Sequence, residues 1–413
     1  MANPYGRVFI SYRRNRLPET GALVCALHDR GIATWMDVND LANEPTEAAI
    51  RATLNDVNTS GAILWLTPDV QDSEIIRAVE VPEAIGRCKR DELFWLIIIL
   101  ADGLDYRNAG ELFKGTLRGE DLSLWNLRKV SAPWASPSDI AEVACSALEK
   151  RMSAIERSAE SLAAVDVVIH AKGTLVAGGK DALVLDWTKY FAGGPPSPDA
   201  WEAMDSAARD VAATLKRITP PDTAIRFRGT PSLPASLLLG ATYSSRDGRI
   251  PTWMQLQPDG STIRQWAMDA APDATLAVGA GWKVQDPIYR EPSGAALAVC
   301  IGISDDVSGA FAQSQNVISG WRAILNIEPP AGRNTRAVPL TGQEAASLVH
   351  LTIDAVRQSR SRIHGIESVH LFIAGPAGFA FLLGTRLATL PTTIAYEYVT
   401  ATSRYISGAT IHS

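Results

Sequence analysis

The nine residues Leu93 to Ala101, Leu-Phe-Trp-Leu-Ile-Ile-Ile-Leu-Ala, constrain the fold more than any other stretch of this chain. The run is about half as long as a membrane span requires, and it has none of the apolar-polar alternation of a strand with one wet face. It reads as a central strand buried on both sides, which calls for a parallel sheet covered by helices on each face. The flanking sequence fits that frame. Strands are expected at Arg7 to Tyr12, Ile32 to Asp37 and Ala62 to Leu66. Between them lie a helix with Leu23, Val24 and Leu27 inward, ending at Gly31, and a helix opened by Asn43 and Pro45 with Ile50, Leu54 and Val57 as its apolar stripe.

Thr67-Pro68-Asp69 stops the Ala62 to Leu66 strand, and a helix with Ile75, Ile76 and Val79 on one face follows. Pro82 removes a backbone donor there, so the helix is expected to break or restart close to Glu80. A last helix is expected from the Ser136 cap and Pro137, with Ile140, Val143, Leu148, Met152 and Ile155 inward. Ligands of such alternating α/β sheets sit beyond the carboxyl ends of the strands. Arg13, Arg14, Trp35, Asp37 and Glu80 all fall near or after strand ends, where they can share one cleft.

With 413 residues, two domains are expected. A net charge of −6 argues against a general nucleic-acid coat while leaving room for a local basic pocket. The four cysteines, Cys25, Cys88, Cys145 and Cys300, are too dispersed for a zinc site or a disulfide framework, so no metal is expected. The amino-terminal residues do not read as a signal peptide, which places the expected location in the cytoplasm. Glu156 to Ala164 is polar and free of proline and glycine, and is expected to be a helical joint.

Beyond it, strands are expected at Val165 to His170, Ala182 to Trp187 and Ala295 to Ile303, and long helices from Ser197-Pro198 and from Gln343 to about Val356. One pattern occurs twice. Ile225 to Gly240 and Leu371 to Gly384 each read as a strand, a Gly/Pro turn, a short apolar helix and a closing glycine, each after an amphipathic helix. Two Rossmann-like halves are implied, with Gly-rich turns at helix N-termini around a shared anion-binding crevice. Lys189, Arg226 and Arg228 would add positive charge beside Gly229 and Thr230, and Gly375, Pro376, Ala377 and Gly378 would form the second turn. Tight helix packing is the competing explanation of the glycines.

Two resemblances follow from these residues. Phe9-Ile10-Ser11-Tyr12-Arg13-Arg14, Trp35-x-Asp37 with Asp40-Leu41, and Leu66-Thr67-Pro68 with Ser73 and Glu80-x-x-x-Ala84 resemble the successive boxes of a TIR domain. The implied domain covers residues 1–157 and has a flavodoxin-like parallel sheet. Asn43 and Ile75 or Ile76 depart from the usual pattern, and one extra residue between Ser73 and Glu80 leaves Glu83 as a competitor. The resemblance implies an NAD glycohydrolase with NAD as substrate and no cofactor. Glu80 would be the catalytic carboxylate, and Ser11, Tyr12, Arg13, Trp35, Asp37, Asp40 and Leu41 would hold the substrate. For Trp35 a core role and a ring-stacking role stand open.

Residues 163–413 resemble a SAVED domain of two fused CARF-like halves, with His370-Leu371-Phe372-Ile373-Ala374-Gly375-Pro376 as the most recognisable motif. Together the resemblances imply a bacterial antiphage effector of CBASS or type III CRISPR systems. A cyclic oligonucleotide, such as cyclic tri-AMP, would be its activator, acting through head-to-tail self-association. A non-enzymatic TIR scaffold and a constitutive nucleoside-processing glycosidase are the alternatives.

Overall fold

The computed structural model describes residues 1–36, 46–117, 121–159, 161–173, 181–243, 249–257, 259–268, 281–315, 320–330 and 339–412. The chain divides into two compact units. One comprises Met1–Ala163, Gly178–Asp186 and Ala213–Thr223; the other comprises Ala164–Ala177, Trp187–Ala212 and Ala224–Ser413.

The first unit contains strands β1 (Arg7–Ser11), β2 (Thr34–Trp35), β3 (Thr59–Leu66), β4 (Trp95–Leu100) and β5 (Leu127–Lys129), and helices α1 (Leu17–Asp29), α2 (Thr46–Asn55), α3 (Val81–Arg90), α4 (Tyr106–Leu112) and α5 (Pro137–Ser158). The strands pair in the order β2-β1-β3-β4-β5, all parallel. This is the flavodoxin-like strand order. Every residue of β3 and β4 is buried, as the unbroken apolar run requires. Helix α5 starts where the sequence places it, with a capping box between Ser136 and Asp139 and Pro137 in the first turn.

Several expectations are corrected. Helix α2 ends at Asn55, so Val57 lies beyond it and is 54% exposed. Among the described residues the strand expected at Ile32 to Asp37 is only Thr34–Trp35. The helical joint across Glu156 to Ala164 does not form. Helix α5 stops at Ser158, whose hydroxyl donates to the carbonyl of Ile155, and Ala159 is extended. Asn43, Pro45 and the loop Val38 to Glu44 lie outside the described residues.

Strand β7 (Leu183–Asp186) belongs to the first unit's Gly178–Asp186 stretch. The remaining elements are β6 (Ala164–His170), α6 (Thr188–Phe191), α7 (Pro198–Ile218), β8 (Ala224–Thr230), α8 (Leu233–Ala241), β9 (Thr252–Leu256), β10 (Ile263–Trp266), β11 (Lys283–Val284), β12 (Ile288–Tyr289), β13 (Ala296–Gly302), α9 (Ser308–Ser314), β14 (Trp321–Glu328), α10 (Gly342–Arg362), β15 (Ser368–Ala374), α11 (Ala377–Gly384), β16 (Thr393–Val399) and β17 (Arg404–Ile411).

The second unit is built twice on one plan. Strands β6, β8 and β9 are parallel and β10 closes antiparallel on β9; strands β13, β15 and β16 are parallel and β17 closes antiparallel on β16. The second sheet continues through β14, on which β11 and β12 lie antiparallel. Helices α7 and α10 both have 21 residues. One constant offset in numbering carries Pro198 to Gly342, Ala224 to Ser368, Leu233 to Ala377 and Gly240 to Gly384.

The last pair lies on the relation between the halves. A Cβ on Gly240 would lie 2.0 Å from the carbonyl oxygen of Phe381 and 3.1 Å from Cα of Gly384. A Cβ on Gly384 would lie 2.3 Å from the oxygen of Leu237 and 3.0 Å from Cα of Gly240. Such reciprocity is what an approximate two-fold relation produces. The closing glycines let α8 and α11 meet backbone to backbone, so for these two residues helix packing is the correct account.

Candidate functional site

In the first unit a cleft of about 390 Å³ opens at the carboxyl end of β1. Its lining includes Tyr12, Arg13, Arg14, Ile50, Ser73 and Glu80. Glu80 closes a single π turn, Ile76–Glu80, which runs directly into α3 with Pro82 in the first helical turn. A wider turn takes up the proline's missing donor without ending the helix, and such insertions recur at functional sites. The Glu80 side chain is 7% exposed, and its Oε2 accepts a hydrogen bond from the Ser11 hydroxyl. Ser11 therefore orients the carboxylate.

Glu83 stands one turn further along and faces away from this lining. It accepts from Arg51 of α2 and, at 3.5 Å, from Asn55. Trp35 is 5% exposed and stacks on Phe9 with ring centroids 5.0 Å apart at 14°, within the first unit's apolar core. It does not line the cleft, so its core role is the one the structure bears out. Tyr12 and Phe9 are the aromatic residues in the described lining of the cleft. Arg13 reaches Asp69 at 3.5 Å, and Asn15 donates to the same carboxylate at 2.8 Å. Burial raises the Asp69 carboxyl, but hydrogen bonds from Thr67 and Asn15 and the charge of Arg13 outweigh it and hold the group below the usual range. This clamp fixes the segment after β1. Asp37, Asp40 and Leu41 lie outside the described residues.

The second unit has two cavities at equivalent places in its repeated plan. One, of about 310 Å³, lies at the ends of β13 and β15, where Ile303, Ser304, Gly375 and Pro376 meet Gln255 and Trp266. Ala377 begins α11 beside it, and the next amide, Gly378, donates to Gln255 Oε1 at 3.2 Å. The other, of about 460 Å³, lies at the end of β6, where Lys172 and Phe191 meet Glu397 and Tyr398 of β16. In each, the segment after the first strand of one half faces the strand that precedes the closing hairpin of the other half.

The sequence suggested a single shared crevice; these two cavities each draw lining residues from both halves. The positive charges expected beside the glycines do not line these two cavities. Lys189 is exposed, with its ammonium 4.6 Å from the Tyr190 ring. Arg226 pairs with Asp166 at 2.7 Å. Arg228, Gly229 and Thr230 line neither cavity. Gly229 is a glycine because its φ is +132° and a Cβ would lie 2.0 Å from the Ile169 carbonyl oxygen. Lys172 and Glu397 were missed by sequence reasoning. They lie 225 positions apart, and no local motif joins them.

Among the described residues no group of three or more His, Cys, Asp or Glu side chains is placed to hold a metal ion, and no helix is long and apolar enough to cross a membrane.

Comparison with known proteins adds a family for part of the chain. No curated protein matches it. Among solved structures it is similar to the Acinetobacter baumannii Cap4 SAVED/CARF-domain containing receptor, determined with the cyclic trinucleotide 2'3'3'-cAAA and also with 3'3'3'-cAAA. Both likenesses have 13% identity and a TM-score of 0.50, and cover 98% of this chain and 100% of the other. At that identity the likeness is one of fold. The model of the "SMODS-associated and fused to various effectors sensor domain" family matches residues 207–411, a shorter span than the 163–413 expected from the resemblance. The part of this chain that resembles a SAVED domain is thus residues 207–411.

Proposed function

We propose that this chain is an antiphage effector in which a cyclic oligonucleotide, most simply a cyclic triadenylate, binds the SAVED domain and switches on NAD cleavage by a TIR-type first unit. The sensing half is supported by the family match over residues 207–411 and by fold likeness to receptors determined with cyclic trinucleotides. The enzymatic half rests on one observation: Glu80 is buried at the wall of a cleft at the carboxyl end of a strand, with Ser11 fixing its carboxylate.

The chemistry suits a lone carboxylate. Nicotinamide in NAD is a cationic leaving group and departs neutral without protonation. The bond between its nitrogen and ribose C1' breaks, positive charge develops on the ribose, and water adds at C1' to give ADP-ribose, nicotinamide and a proton. Glu80 stabilises the oxocarbenium-like transition state and holds the ribose hydroxyls, as a carboxylate does against the same charge in glycosidases. Tyr12 offers a flat face, and Arg13 and Arg14 offer charge for the pyrophosphate. In this proposal the activator drives head-to-tail association of copies, with Asp40 and Leu41 of one copy completing the Glu80 cleft of the next.

The test is NAD consumption by the purified full chain with a panel of cyclic oligonucleotides. Ligand-dependent cleavage is expected, accompanied by large particles in light scattering. Glu80→Gln is expected to lower turnover at least about a hundredfold while activator binding is retained, in line with the roughly 3 kcal/mol contributed by single preorganised electrostatic groups. Unchanged turnover in Glu80→Gln would remove the catalytic assignment.

A further inference from the structure

The carboxyl ends of β1 and β3 lie side by side, because the two strands are parallel neighbours. Beyond β1 the chain stays extended at Arg13 and then makes the short turn Arg14–Arg16; beyond β3 it stays extended at Thr67 and makes the turn Pro68–Asp72. Asp69 thereby bridges the two segments. Its Oδ1 accepts from the Thr67 hydroxyl at 2.5 Å, and its Oδ2 accepts from Asn15 Nδ2 at 2.8 Å and from Arg13 Nε at 3.5 Å. The Thr67 contact serves the turn that Asp69 belongs to. Both contacts at Oδ2 go instead to side chains of the Glu80 cleft lining, of which Asp69 is not itself a part.

The contact matters because of which nitrogen it engages. A guanidinium carries five N–H donors in one rigid plane, so holding Nε restricts the direction of the whole fork. The two terminal nitrogens of Arg13 make no hydrogen bond with another described residue. They are the donors that grip phosphate oxygens in pairs. The side chains of Arg13 and Asp69 are 29% and 30% exposed, so the fork is held without being enclosed. An arginine free to rotate loses that freedom when a ligand binds, whereas one already held loses less.

We infer that Asp69 is a positioning residue for a diphosphate subsite of the Glu80 cleft, holding Arg13 by Nε so that its terminal nitrogens receive the pyrophosphate of a dinucleotide. The inference deepens the proposed NAD-cleaving reading and takes from it only that the ligand of the cleft carries a pyrophosphate. Asp69 acts on that ligand in two opposed ways. Its charge repels the phosphates, and its grip on Arg13 favours them. The charge of a partly exposed group is screened by solvent, so the grip decides the sign. Since Asp69 does not line the cleft, it bears on substrate affinity and not on the chemical step.

The experiment is NAD turnover by the full chain at saturating 3'3'3'-cAAA. Asp69→Ala is expected to raise KM about fivefold and to leave kcat within about twofold of the wild type, the pattern of lost uniform binding. Arg13→Lys keeps the charge and lacks the planar fork, so it is expected to raise KM as well. Adding Asp69→Ala to Arg13→Lys is expected to raise KM no further, because the two residues act as one unit. An acid that only supports the turn would act independently of Arg13, so additive effects overturn the inference. A lower KM in Asp69→Ala overturns it too, since the carboxylate would then merely offset the charge. Asp69→Asn, which keeps an oxygen for Thr67 and sets an NH2 against Arg13 Nε, takes the place of the alanine variant if that one does not fold. If the wild type leaves NAD intact, the enzymatic reading falls, and calorimetric titration with ADP-ribose decides. Binding that weakens about fivefold in Asp69→Ala, but not in the Arg13→Lys background, upholds the subsite; no binding, or binding without that dependence, overturns it.

Discussion

Arg226 and His370 occupy the same position in the two halves of the second unit, on β8 and β15, yet their surroundings have little in common. Arg226 stands beside Asp166 in register and forms an ion pair with it at 2.7 Å, with the two side chains 39% and 27% exposed. His370 stands beside Ala298. Its Nδ1 lies 2.9 Å from the Tyr396 hydroxyl, its Nε2 3.0 Å from the Ser368 hydroxyl, and the Trp321 ring meets it edge-on at 5.0 Å. Burial lowers the His370 pKa to about 4. The comparison shows which parts of a duplicated plan are shared and which are local. Strand order, helix length and the Gly240–Gly384 crossing are common to both halves. The polar side chains on the strands are set by each half's own neighbours.

The largest expected effect comes from breaking what the halves share. Gly384→Leu places a side chain where a Cβ already lies 2.3 Å from a backbone oxygen, and backbone cannot move aside as a flexible side chain can. Gly240→Leu meets the same obstacle from the other side. Each substitution is expected to cost more than about 3 kcal/mol of stability, measured by urea denaturation. If one glycine tolerates leucine and the other does not, the reciprocal crossing is not the common element it is taken to be.

A smaller effect separates the halves by pH. The folded His370 pKa is about 4 and its ordinary value is 6.5, so the unfolded chain binds the proton more readily. Stability from this group is present above pH 6.5 and is lost as the pH falls toward 4. The loss amounts to about 3 kcal/mol at most, because each tenfold difference in proton affinity between the folded and unfolded chain is worth about 1.4 kcal/mol. His370→Gln is expected to flatten that limb of the stability profile, as read by denaturation midpoints between pH 7 and pH 4. Arg226→Gln is expected to leave the limb in place.

The sequence disclosed what short-range pattern carries. The Leu93 to Ala101 run fixed a buried strand, Ser136-Pro137 fixed a helix start, and Pro82 marked the discontinuity at which Glu80 sits. The repeated strand-turn-helix unit also stood out, because its closing glycines recur at a fixed offset. What stayed hidden depends on pairing between distant segments. Trp35 lay open between core and ligand until its stack on Phe9 was visible. Arg151 sits inside α5, 1% exposed, and donates to the carbonyls of Gly6 and Gly31; periodicity gives no hint of a buried arginine there. Lys172 and Glu397 meet only because two halves far apart in the chain are folded on one plan. The ion pair of Arg226 was hidden for the same reason, since Asp166 lies on a different strand.

The smallest expected effect tests that last point. Removing Arg226 takes away a half-exposed ion pair whose Coulombic gain is screened by solvent and offset by the entropy of holding two side chains in place. Arg226→Met should therefore cost less than about 1 kcal/mol of stability. Arg226→Glu should cost somewhat more, because it sets two carboxylates face to face across neighbouring strands. Neither should alter the affinity for 3'3'3'-cAAA by more than about twofold, since the side chain lines neither cavity and a partly exposed charge acts weakly beyond about 10 Å at moderate salt. The opposite result, a large loss of affinity in Arg226→Glu with stability intact, would mean that the Asp166 pair opens to admit a phosphate. It would also make β8 the ligand-facing strand of its half and return the two halves to one shared site, against the separate cavities described above.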